Sequence, residues 1–154
     1  MMNSQHSNTY AGQPTRLSWR YLRQLFKHYP FSWCCIVCIW VLCLIPIPET
    51  PLSDIRFIDK WTHFVFYGGL CLVIWLEYGH RHSVINKTTT LIGAIGLPVV
   101  MGGLIEIVQA TCTGGNRSGD VTDWLADAVG VALGQLIGIP LAMLALDSYG
   151  LDPA

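Results

Sequence analysis

Charge is scarce in this chain. Lys, Arg, Asp and Glu make up 12% of its 154 residues, against 52% hydrophobic residues, a balance far from that of a soluble domain. The glycine-rich phosphate loop, the Gly-x-Ser-x-Gly elbow and the zinc-binding His-Glu-x-x-His helix are all missing from the sequence. Their absence removes the usual signatures of nucleotide-dependent, serine-hydrolase and metalloprotease chemistry. Basic residues cluster only in one short segment near the N-terminus, so no nucleic-acid partner is expected. Cysteine offers little either. Cys34, Cys35, Cys38, Cys43 and Cys71 fall in apolar runs, where a thiol behaves as a small apolar residue. Cys34 and Cys38 share a helical face, but no His or further Cys nearby completes a metal set. Cys112 alone sits in polar surroundings, which excludes a disulfide framework within one chain. No cofactor is called for.

What the chain has is long apolar stretches. They run from Phe31 to Ile47, Trp61 to Tyr78, about Thr89 to Ala110, and Trp124 to Leu146, each roughly 17 to 24 residues. About 20 helical residues cross a ~30 Å hydrocarbon core, and a chain this small has no interior large enough to bury four such segments. The pattern predicts an all-α, polytopic membrane protein with four transmembrane helices preceded by a short amphipathic helix. Its parts are a disordered tail (1–15), a basic juxtamembrane helix (16–29), the four-helix domain (31–146) and a cytoplasmic tail (147–154). Arg16, Arg20, Arg23 and Lys27 form one stripe of the juxtamembrane helix, opposite Leu17, Tyr21, Leu22, Leu25 and Tyr29. That suits a helix lying on an anionic leaflet and equally a flank that sets topology. The first apolar run is already membrane-length and ends in Pro46-Ile-Pro48-Glu-Thr-Pro51, so an anchor is expected here in place of a cleaved signal.

Orientation follows from Lys and Arg. With the N-terminus inside, six basic residues (Arg16, Arg20, Arg23, Lys27, Arg81, Lys87) are cytoplasmic and three (Arg56, Lys60, Arg117) lie opposite. The positive-inside rule then places both termini in the cytoplasm of a bacterial inner membrane. Glu49, Asp54, Asp59, Glu106, Asp120, Asp123 and Asp127 all fall on or near the outer face.

Two short polar constellations stand inside this apolar frame: Asp59-Lys60-x-x-His63-Phe64-x-x-Tyr67 and Glu106-x-x-Gln109. Asp59, His63 and Tyr67 recur every four residues and share one face of the second span, continued by Leu70 and Ile74. Asp59 falls at a helix start, where a carboxylate meets orphan amides. The third span carries Gly102 and Gly103 for close packing, a kink at Pro98, and Glu106 about one turn below the interface. Glu106 should pair with Arg117, Lys60 or His63, or else bind a proton. Arg117 sits in a turn-rich loop and has the geometry to clamp a phosphate or carboxylate. Asp120, Asp123, Asp127, Gly130, Gly134 and Gly138 then fall along one stripe, acids above and a small-residue packing face below, which should point into the bundle.

The two constellations, with Arg117, Asp120, Asp123, Gly130 and Gly134 in this order, resemble the VanZ-like family of small multi-pass bacterial membrane proteins. The resemblance runs from about Pro46 to Gly138. It implies a place in the cell envelope and an association, through the namesake, with resistance to the glycopeptide teicoplanin; resistance does not carry over with the resemblance alone. The chain departs from the family where many members have Asn before the first helix glycine and this one has Asp127, so one of the neighbouring acids should take up a proton or a cation. Two classes of function stay open. In one, the polar set is structural and the surface binds membrane lipids and a membrane protein partner. In the other, the set acts on a lipid head group or a lipid-linked envelope precursor: His63, Glu106, Asp123 and Asp127 supply acid–base chemistry, and Asp59, Lys60, Tyr67, Gln109, Arg117 and Asp120 supply binding. A variant of the second seats a divalent cation among Asp59, His63, Glu106, Asp120, Asp123 and Asp127.

Overall fold

A computed structural model of the chain describes residues 19–46, 57–82, 84–115 and 117–150. The expected disordered tail 1–15, Arg16, Glu49, Asp54, Arg56 and the last four residues lie outside the described part. All regular structure within it is helical: α1 (Trp19–His28), α2 (Pro30–Leu44), α3 (Ile58–Gly79), α4 (Lys87–Thr90), a π-helical segment (Leu91–Gly96), α5 (Leu97–Cys112) and α6 (Val121–Gly150).

Two stretches are long and apolar enough to cross a membrane, Leu91–Cys112 and Val121–Ser148, where the sequence predicts four. The difference has two local causes. α2 ends at Leu44 and has 15 residues, about 22 Å at 1.5 Å per residue, short of a ~30 Å core. α3 is long enough at 22 residues but includes Asp59, Lys60, His63 and Glu77.

α3 and α6 form the most extensive helix pair. They lie parallel and advance in matched steps of about one turn: Gly134 meets Cys71, Gly138 meets Trp75, and Ala142 meets Gly79. A side chain at Gly130 would collide with the carbonyl oxygen of Phe64 and crowd the amide of Gly68, so only glycine permits this approach. The buried residues of α3 (His63, Tyr67, Leu70, Cys71, Trp75, Tyr78) repeat at three and four, as their sequence spacing predicts. α2 and α5 run antiparallel to this pair, and Gly114 and Gly115 supply the left-handed backbone (φ 62° and 87°) that turns α5 into α6.

Helix ends and one helix break need polar partners, and side chains from neighbouring helices supply them. The Glu77 carboxylate, from the end of α3, accepts the amides of Phe31 (2.9 Å) and Ser32 (3.0 Å) and the Ser32 hydroxyl (2.5 Å) at the start of α2. At the other end of α2 the Cys43 carbonyl accepts Gln109 Nε2 at 2.8 Å and Arg117 Nε at 3.2 Å. Pro98 has no hydrogen for the carbonyl four residues before it, that of Ala94. The preceding stretch winds as a π-helix, and the Ala94 oxygen receives Gln135 Nε2 at 2.7 Å and the Cys71 thiol at 3.4 Å. Gln135 in turn accepts Trp75 Nε1 at 2.7 Å.

Gly130→Ala should lower stability by about 1–3 kcal/mol, the usual range for overpacking against atoms that cannot yield. Gly69, whose Cβ position has nothing within 4 Å, is the control, and Gly69→Ala should be neutral or slightly stabilising. Thermal unfolding of the purified variants checks this. Equal effects at the two positions would contradict the α3–α6 contact.

Candidate functional site

The end of the bundle where α2 and α5 finish and α3 and α6 begin gathers Asp59, Glu106, Asp120, Asp123 and Asp127, five of the acids expected on the outer face. The 3.6-residue period of α3 turns His63 and Tyr67 inward, and that of α6 does the same for Asp123 and Asp127. α5 adds Glu106 and Gln109 from its last turns. His63, Tyr67, Glu106, Gln109, Asp123 and Asp127 are all buried, Asp127 completely.

These groups fall into three linked sets. Innermost, His63 Nδ1 shares a hydrogen with Asp127 Oδ1 at 3.0 Å and lies 3.8 Å from Glu106 Oε1. Gly102 makes room for this contact, since a Cβ there would stand 2.5 Å from Asp127 Oδ2. Above it, Lys60 Nζ binds Asp123 Oδ1 at 2.8 Å and Asp120 Oδ2 at 3.0 Å. At the side, Arg117 reaches Asp59 at 3.8 Å while its Nε donates to the Cys43 carbonyl. One backbone bond ties the sets together: the amide of Asp120 donates to Glu106 Oε2 at 2.7 Å.

Of the three partners expected for Glu106, His63 is the one in reach; Lys60 and Arg117 are engaged elsewhere. Arg117 braces the end of α2 through its Nε. Gln109 serves the same carbonyl. Asp59 and Asp120 keep half-exposed carboxylates at the rim, and Asp120 caps α6 by accepting the Thr122 amide (2.9 Å) and hydroxyl (2.6 Å). Asp59, His63 and Asp123 bring one ligand atom each within 4.8 Å of one another, and so do His63, Glu106 and Asp127. Sequence reasoning passed over Glu77, Ser32 and Gln135. A lone acid or amide within an apolar run was the available signal.

Two cavities lie away from this cluster, both apolar. One, near Tyr29, Trp33, Ile74, Trp75 and Leu97, is about 150 Å³. The other is an open groove between α2 and α3 near Cys35, Leu42, Phe66 and Val73.

Comparison with known proteins agrees with the resemblance drawn from the motifs: a family model described as VanZ/LLP1 matches residues 2–143. No curated protein and no solved structure matches the chain.

The Thr122 hydroxyl and amide, together with the Lys60 ammonium, hold the Asp120 carboxyl down to about 2, below the usual carboxylate range. A carboxyl depressed in the folded state stabilises above its unfolded value, ~3.9, and loses that contribution as pH falls toward the folded value. Asp120→Asn keeps an oxygen for the Thr122 amide but replaces the oxygen that accepts the Thr122 hydroxyl and Lys60, and removes the charge. The variant should melt below the parent at pH 6, with the gap narrowing under pH 4 and closing near pH 2. A gap constant over that range would show that the charge contributes nothing.

Proposed function

The chain belongs to the VanZ/LLP1 family, and from that premise we propose a four-span inner-membrane protein of the bacterial envelope. Both termini are cytoplasmic, the polar cluster locks the helices at the outer face, and the surface binds lipid and a membrane partner.

The observation that carries this reading is an inside-out distribution along each of the four main helices. On α6, Asp127 is 0% exposed while Leu125, Val129 and Leu136 are 54%, 54% and 70% exposed. On α3, His63 and Tyr67 are enclosed while Trp61 and Val65 face outward, and α2 and α5 present Val37, Val41, Val100 and Ile107 in the same way. Apolar exteriors around polar interiors are stable in hydrocarbon, whereas exposed apolar area this large marks an interaction surface in water. α2 and α3 spans are supported by that exterior although each falls short in length or hydropathy. The 15-residue α2 is accommodated by local thinning of the bilayer, and α3 keeps its charged ends near the interfaces. The structural role of the cluster is supported by its burial and by the engagement of Arg117 and Gln109 with the end of α2.

Labelling of single cysteines in intact cells tests the arrangement. In a Cys112→Ser background, an impermeant maleimide should label Ser118→Cys and spare His82→Cys until the cells are opened. Labelling of position 82 from outside would overturn the orientation and, with it, the outer-face location of the cluster.

A further inference from the structure

We propose that His63, Glu106 and Asp127 form a binding site for one divalent transition-metal cation, Zn²⁺ or an ion of similar preference. The three residues come from α3, α5 and α6, so one ion would join three helices. A tetrahedral ion with ~2.1 Å bonds sets its donor atoms about 3.4 Å apart. His63 Nδ1 lies 3.0 Å from Asp127 Oδ1 and 3.8 Å from Glu106 Oε1, on either side of that spacing.

A second observation, independent of the clustering, points to a ligand at the same place. Tyr67, fully buried one turn beyond His63 on the same face of α3, has a hydroxyl with no hydrogen-bond partner, within electrostatic reach of Asp127 and Glu106. Glu106 Oε1 and Asp127 Oδ2 are likewise buried without partners. Buried polar atoms are almost always satisfied, and an ion or the water it carries is a standard reason for exceptions. Three such atoms around one imidazole have a common explanation in a bound cation.

Charge and donor type narrow the ion. With the ion bound, the two carboxylates and a neutral imidazole carry two negative charges, which one dication balances; in the metal-free chain the proton shared by His63 and Asp127 answers Asp127. The neighbouring cations do not supply that balance, since Lys60 binds Asp120 and Asp123, and Arg117 binds Asp59 and the Cys43 carbonyl. One nitrogen and two oxygens suit zinc or manganese, whereas calcium and magnesium favour an all-oxygen shell. The second shell is in place: the Asp120 amide holds Glu106 Oε2 and leaves Oε1 for the ion, and the missing side chain at Gly102 leaves the space that the Asp127 carboxylate fills. On binding, the proton that His63 and Asp127 share leaves to solvent as Nδ1 and the carboxylate take up the metal, and the imidazole stays neutral with its own hydrogen on Nε2.

This inference needs the α3–α5–α6 contact but not the membrane orientation, so its failure leaves the four-span reading standing. The test uses the full chain, purified in detergent, stripped with chelator and titrated with Zn²⁺ by calorimetry and equilibrium dialysis. We expect one saturable Zn²⁺ per chain, a melting temperature that rises with free Zn²⁺, and proton release on binding. Asp127→Asn and Glu106→Gln should each weaken binding at least 10-fold, and His82→Gln should leave it unchanged. If those variants fold poorly, Co²⁺ in the parent chain gives a readout that needs no variant: visible absorption bands of a four- or five-coordinate nitrogen–oxygen site. Absence of saturable Zn²⁺ uptake by folded parent, or undiminished uptake by folded Asp127→Asn, would overturn the proposal.

Discussion

A carboxylate as enclosed as that of Asp127 can exist only beside a group that answers its charge, and in this molecule the answer comes from another helix. The contact with His63 forces α3 and α6 to meet at one height, and the parallel register of the pair follows from it. Glycines at 130, 134 and 138 then let the backbones close over the rest of the interface. The polar contact fixes the height and the small residues fix the distance. Truncation of one partner would leave the other buried and unanswered, at a cost of about 3–5 kcal/mol.

The same economy governs the backbone. In an apolar surrounding every unpaired amide and carbonyl must find a protein partner, and three long-range devices do this. Glu77 serves the start of α2, Gln109 and Arg117 serve its end, and Gln135 serves the Ala94 carbonyl that Pro98 cannot reach. α2, the shortest of the four main helices, is thereby tied at both ends to α3 and α5. Polar residues that look like the reagents of an outer-face reaction are in several cases the fastenings of the helix ends.

Periodicity made the two buried stripes legible. Asp59, His63 and Tyr67 on α3, and Asp123, Asp127 and the glycines on α6, declare their faces through four-residue spacing alone, though Asp59 ends up at the exposed rim. That Pro98 frees one carbonyl was legible too, because the loss of one hydrogen is a local fact. Partner choice was not. Arg117 is 74 residues from the carbonyl it braces, and no local rule separates that role from anion binding. Glu77 and Gln135 were passed over for a related reason: each works across two helices, and its purpose shows only once the helix ends it serves are in place. Span count was legible in part: two stretches are long and apolar enough to cross a membrane, while α2 stops early at Leu44 and α3 carries polar residues that lower its hydropathy.

The central claim is that the His63–Asp127 contact joins α3 to α6. A double-mutant cycle with His63→Gln and Asp127→Asn, read by unfolding of the metal-stripped chain, measures it directly. The account predicts that each single variant is strongly destabilised, that the double variant recovers part of the loss, and that the coupling energy exceeds about 1 kcal/mol. Strictly additive effects would contradict it.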